Sequence, residues 1–169
     1  CVAVGEIGID LYWKKKFLKD QKIVFKKQIE IALDYNLPIV IHCREAFDHV
    51  YKILKKYSNK NLKGVFHCFT GNEEQARKVC DLNFKLGIGG VVTFKNGGLD
   101  KYLHKIDLKN IVLETDSPYL SPSPHRGKRN ESSYIIYILD KLSEIYQLDN
   151  KIIADITTKN AINIFNLNN

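Results

Sequence analysis

Five short apolar runs, each separated from the next by a stretch with helical periodicity, leave this chain few folds to choose from. The runs fall at residues 2–9, 38–42, 64–69, 86–93 and 111–115. Strand-length runs alternating with helical segments read as a parallel α/β sheet. Phe25, Ile29 and Ala32 recur on one helical face between the first two runs. Phe47, Val50, Tyr51 and Leu54 repeat the pattern after the second run, and Ala76, Val79 and Cys80 after the third, behind Asn72 as N-cap. An irregular stretch, 116–130, then holds all the prolines but Pro38. A long amphipathic helix marked by Ile135, Ile138, Leu139, Leu142 and Ile145 follows. Two short helical pieces are expected to close the chain, the last with Ala161, Ile164 and Phe165. With 169 residues, 44% of them hydrophobic, and no linker, one domain around one core is expected. Apolar strands need cover on both faces, which a doubly wound sheet and a barrel supply equally.

The polar residues separate these two solutions. Four of the runs carry a metal-ligand type of side chain at or near the strand's C-terminal end: Glu6, His42, His67 and Asp116. In a (β/α)8 barrel, catalytic groups come from the C-terminal ends of several strands. Packing explains a single such residue, because a lone strand-end histidine is usually structural and Asp116 before Ser117-Pro118 suits a turn. Four in register are harder to explain that way. Glu6, set in an apolar strand between glycines, needs a cation or several donors if it is buried. Two imidazoles and two carboxylates suit Zn²⁺, Mn²⁺ or Fe²⁺, with Mg²⁺ at weaker sites. Glu114 shares a strand face with Asp116, which makes it a supporting group or an additional ligand. By the same alternation Cys43 and Cys68 face away from His42 and His67 and pack under helices.

Cys1, Cys43, Cys68 and Cys80 form no CxxC pair and no disulfide-framework spacing, so reduced thiols and a cytoplasmic or nuclear location are expected. No membrane span or signal peptide is legible. The formal charge of +7 suits a polyanionic partner, yet only four of the 26 basic residues are Arg and Asn is abundant, so a Lys- and Asn-rich bias explains most of it. The run Ser121-Pro122-Ser123-Pro124-His125-Arg126-Gly127-Lys128-Arg129-Asn130-Glu131 is more pointed. Arg126 and Arg129 on a Pro/Gly-stiffened loop would overhang the strand ends, and guanidinium groups match phosphate oxygens. Arg44, two residues past His42, points to the same side. Tyr12 and Trp13 offer stacking faces for bases or simple packing.

Gly5-Glu6-Ile7-Gly8-Ile9-Asp10, Ile41-His42-Cys43-Arg44-Glu45-Ala46, His67-Cys68-Phe69-Thr70-Gly71, Glu114-Thr115-Asp116-Ser117-Pro118 and Pro124-x-Arg126-Gly127-Lys128-Arg129-Asn130-Glu131 together resemble the motifs of the TatD family. They occur in the family's order through nearly the whole chain. The resemblance implies a metal-dependent deoxyribonuclease on a TIM barrel of the metallo-dependent hydrolase type, here about strands four to eight. It implies that Glu6 bridges two divalent ions (Mg²⁺, Mn²⁺ or Zn²⁺), that His42 and His67 hold one, and that Asp116 helps hold the other. Ser132 stands where the family usually has Pro. The family's first-strand His-x-His pair has no counterpart among His42, His49, His67, His104 and His125. One ion is therefore expected to lack ligands within this chain. That gap, with the strand-like start Cys1-Val2-Ala3-Val4, suggests a chain that begins inside a larger protein.

The activity expected is hydrolysis of DNA phosphodiester bonds, with Asp116 and Glu6 as catalytic groups and Arg44, Arg126 and Arg129 on substrate phosphates. The resemblance adds exonucleolytic cutting of single strands. Amide, ester or lactone hydrolysis by the same metals, and an inactive fragment, are the alternatives.

Overall fold

The structure, a computed structural model, describes residues 1–167. Its five strands, β1 (Val4–Asp10), β2 (Ile39–Arg44), β3 (Gly64–Phe66), β4 (Phe84–Ile88) and β5 (Ile111–Leu113), form one parallel sheet in chain order. Helices α1 (Leu18–Asp34), α2 (Phe47–Leu54), α3 (Glu73–Asp81), α4 (Ile135–Tyr146) and α5 (Asn150–Phe165) connect and cover it. The parallel α/β architecture is the one the alternation predicts, and the strand order is that of consecutive strands in a barrel wall.

One face of the sheet meets the helices. Ile7, Ile9, Ile39, Ile41, Phe66, Leu86, Ile88 and Ile111 point there and pack with Phe25, Ile29 and Ala32 of α1, Val50 and Leu54 of α2, and Ala76 and Val79 of α3. Asn72 caps α3 as expected: its side chain takes the Gln75 N–H while Gln75 returns a bond to the Asn72 N–H. The opposite face carries a smaller apolar cluster, in which Val65 and Val112 meet Ile164, Ala161 and Phe165 of α5. The end of α5 therefore lies under the sheet face that bears the polar strand-end residues.

A bulge sets that face. Val4 pairs with Ile39 but Ile7 pairs with Ile41, so Gly5-Glu6 adds one residue to β1. Regular alternation would leave Glu6 and Gly8 on the face of Val4. The inserted residue reverses the pleat, so Ile7 and Ile9 enter the core while Glu6, Gly8 and Asp10 face the other way.

Element boundaries differ from the sequence reading. The fourth strand begins earlier, at Phe84, and ends at Ile88; residues 90–93 form a 3₁₀ turn in which the Val92 N–H donates to the Gly89 carbonyl. Strands β3 and β5 stop at Phe66 and Leu113, and their ladders fade through single bonds from His67 N–H to the Ile41 carbonyl and from Glu114 N–H to the Ile88 carbonyl. The chain closes on one 16-residue helix, α5, in place of two short pieces. Its buried stripe is Ile153, Thr157, Asn160 and Ile164, two of them polar. Thr157 satisfies itself on the Ile153 carbonyl, and Asn160 donates to the carbonyls of Leu108 and Ile111. A polar stripe with helical spacing hides from an apolar periodicity. No helix among the described residues is long and apolar enough to cross a membrane.

Candidate metal centre

Glu6 and Asp10 (β1), His42 (β2), His67 (after β3) and Glu114 and Asp116 (after β5) share the inward face toward the C-terminal edge of the sheet; Glu6 reaches it from the bulge, as the third residue of β1, and not from the strand end that the sequence suggests. Glu6, His42, His67 and Asp116 are thus brought together on one edge. His42 lies between two carboxylates: Nδ1 is 2.9 Å from Glu6 Oε1 and Nε2 is 2.8 Å from Asp10 Oδ2. His67 Nδ1 donates to Glu114 Oε2 at 3.0 Å, while its Nε2 lies 3.2 Å from Asp116 Oδ1 and 3.8 Å from Glu6 Oε1.

The two histidines follow one scheme. Each gives one ring nitrogen to a carboxylate at its flank, Asp10 or Glu114, and turns the other toward Glu6 or Asp116. A ring fixed by an outer carboxylate presents its second nitrogen in a set direction, as metal-bound histidines do. Glu114 is held further by the Cys68 N–H on Oε1. Strand β4 supplies no ligand but makes room: a Cβ on Gly87 would lie 2.5 Å from Glu114 Oε2. Gly8 plays the same part beside His42. Its φ of +149° belongs to glycine, and a Cβ there would collide with the His42 carbonyl.

Four carboxylates gather around two imidazoles, and among the described residues no Lys or Arg forms an ion pair with any of the four. The hydrogen bond to Glu114 pushes His67 up to about 9, against the lowering effect of burial, and the charges of Glu114, Glu6 and Asp116 add to the rise. Burial pushes Asp10 upward, but His42 and the Tyr12 N–H together outweigh it and hold the carboxyl below its ordinary value. Among the described residues no three His, Cys, Asp or Glu side chains already enclose a cation-sized position, because the donors are drawn onto one another. The donor set fits a divalent ion nonetheless. It has four carboxylates against two imidazoles and no Lys or Arg ion pair among the described residues, mixed nitrogen and oxygen atoms, and imidazoles oriented from behind.

Glu6 is less buried than the sequence suggests, with its side chain 45% exposed. All four cysteines are free thiols. Cys43 packs against the core as expected, and burial raises its thiol to about 12. Cys68 departs from the expected alternation. The strand ends before it, its φ is +45°, and its thiol, raised to about 12 mainly by burial, also feels Glu114, Asp116 and Glu6.

The expected phosphate-binding arginines lie on the same edge but apart from the carboxylates. Arg44 ends β2 and stacks on Tyr12, 3.6 Å from the ring centroid; Arg126 stacks likewise on Phe94 at 3.6 Å. Arg129 is exposed on the loop after β5. A cleft of about 650 Å³ opens beside Arg126, lined also by Thr70, Phe94, Lys95, Asn96 and Ser123.

Two residues went unassigned in the sequence. Asp10 closes β1 four residues after Glu6, on the same face, and that spacing was the available signal. Asn130 is 2% exposed and donates to the carbonyls of Thr115 and Tyr119 while its Oδ1 accepts the Glu131 N–H. It thereby ties the far end of the loop to the turn that carries Asp116, whose own φ is +56°.

Residues 1–166 match the family described as TatD related DNase. An uncharacterized metal-dependent hydrolase of Bacillus subtilis (strain 168), YabD, is 45% identical over 99% of this chain and 66% of its own length. A Yersinia pseudotuberculosis protein named 3'-5' ssDNA/RNA exonuclease TatD is 32% identical over 98% of this chain and 66% of its own length. The crystal structure of YJJV, a TatD homolog from Escherichia coli K12, superposes with a TM-score of 0.92 at 28% identity, covering 98% of this chain and 64% of that one. The chain thus spans just under two thirds of the length of these relatives.

Proposed function

The chain belongs to the TatD related DNase family, and from that premise we propose that it carries the metal centre of a hydrolase that cleaves DNA phosphodiester bonds. The observation that carries the reading is the paired arrangement Asp10–His42–Glu6 and Glu114–His67–Asp116, two carboxylate-oriented imidazoles converging on two further carboxylates. Glu6, His42, His67 and Asp116 would hold a divalent ion, and Glu6, the most open of the four, is the group free to bridge to a second. The second ion would need ligands beyond those this chain brings together. When bound, such ions supply Lewis acidity at a phosphoryl oxygen and balance charge on the attacking and leaving groups.

The chain's own groups divide the remaining work. Asp116, beside His67 Nε2, accepts the proton of the attacking water. Glu114 and Asp10 keep His67 and His42 in orientation. Arg44 and Arg126 are each held over an aromatic ring, 3.6 Å from its centroid, with N–H groups left for phosphate oxygens, and Arg129 is a third contact. The basic loop favours a phosphodiester over an amide, ester or lactone. The Yersinia relative's name supports single-stranded DNA or RNA cut from the 3' end.

The test offers 5'-labelled single-stranded DNA alongside amide, ester and lactone substrates. DNA cleavage should disappear in excess chelator and return with Mg²⁺, Mn²⁺ or Zn²⁺. Cleavage undiminished by chelator, or turnover confined to the amide, ester or lactone panel, would reject the reading.

A further inference from the structure

Immediately after β1 the chain reads Tyr12-Trp13-Lys14-Lys15-Lys16-Phe17, and every one of these six residues is exposed. Trp13 is 77% exposed and meets Tyr12 edge to face, with ring centroids 4.7 Å apart. Arg44 lies over the Tyr12 ring, and Lys16 lies 5.0 Å from the Phe17 centroid. A large aromatic ring in water is costly unless it has a partner, and among the described residues Tyr12 is the only aromatic or cation partner of Trp13. Three consecutive lysines beside it have no ion pair among the described residues.

This segment is joined to the carboxylate–imidazole cluster by a single side chain. Asp10 Oδ1 accepts the Tyr12 N–H at 2.8 Å, and its Oδ2 faces His42 Nε2. The aromatic and basic residues therefore start at the lip of the proposed centre and lead away from it. Stacking rings interleaved with lysines are what a single strand of nucleic acid requires: faces for unpaired bases and cations for the phosphates between them. A duplex, with its bases already stacked inside, has no use for Trp13.

We infer that Tyr12–Phe17, with Arg44, is a track for the single-stranded portion of the substrate outside the cleavage site, and that it makes cleavage depend on strand length. The inference rests on the phosphodiesterase reading for the site the track leads to, but the binding it describes is separable from chemistry. Trp13 is the chain's single tryptophan, so its fluorescence reports on this segment alone.

The experiment titrates the protein with oligo(dT) in excess chelator, so that nothing is cut. Trp13 fluorescence should quench saturably and recover with salt. By fluorescein anisotropy, Trp13→Ala should weaken a twelve-nucleotide strand about 10-fold. Replacing Lys14, Lys15 and Lys16 by Ala should lower the slope of log affinity against log salt by about 2. With Mn²⁺ present, Trp13→Ala should reduce the preference for the twelve-nucleotide strand over a dinucleotide. Unquenched fluorescence, or anisotropy unchanged in both variants, would overturn the track. Failure of the wild-type protein to hydrolyse bis(p-nitrophenyl) phosphate with Mn²⁺ would instead reject the phosphodiesterase reading, whatever the fluorescence shows.

Discussion

Replacing Asp116 by Asn is expected to lower kcat for single-stranded DNA by about 10²–10⁴-fold, the range a positioned general base contributes. The side chain lies 3.2 Å from His67 Nε2 and is only 28% exposed. Asparagine keeps the size and one carbonyl oxygen but cannot take up a proton. The turn should survive the change, because it is held by Asn130 and by the Tyr119 N–H on the Asp116 carbonyl, not by the carboxylate. Single-turnover cleavage and thermal unfolding, measured together, separate the two effects. A rate within 10-fold of wild type with an unchanged unfolding temperature would remove Asp116 from proton transfer.

The second large effect is expected at His67. Its imidazole touches three carboxylates, one behind and two in front, and its removal leaves Glu114 without a side-chain partner at a site only 18% exposed. His67→Ala should cost about 10³-fold in kcat/KM, since a lost ligand forfeits several kcal/mol of transition-state stabilisation at about 1.4 kcal/mol per tenfold. Glu114→Gln, which removes the carboxylate behind the ring, should cost about 10–100-fold. Arg126→Ala should act mainly on KM, because Arg126 touches Phe94 and none of the carboxylates. The ordering matters more than the values. An Arg126→Ala defect as deep in kcat as that of His67→Ala would mean that the roles assigned here are wrong.

How much of this was legible in the sequence depended on which periodicity carried it. Residues whose partners lie along the same face were readable: the α1 stripe of Phe25, Ile29 and Ala32, the Asn72 cap, and the places of His42 and His67 near the ends of β2 and β3. What escaped depended on contacts across the chain. Nothing local marks Gly5-Glu6 as a bulge, yet the bulge decides which residues of β1 face the cluster. Asn130 looks like one loop asparagine among many until its donors are seen on Thr115 and Tyr119. In α5 the buried Thr157 and Asn160 broke the apolar pattern because their bonds to carbonyls replace apolar packing. The alternation argument for Cys68 failed because the strand ends two residues before it.

Diffraction from a crystal soaked in Mn²⁺ tests the central claim most directly. An anomalous peak is expected among Glu6 Oε1, His42 Nδ1, His67 Nε2 and Asp116 Oδ1. Asp10 should remain on His42 Nε2, and Glu114 on His67 Nδ1. A cluster left metal-free, with Glu6 and Asp116 still paired to the imidazoles at millimolar Mn²⁺, would contradict it.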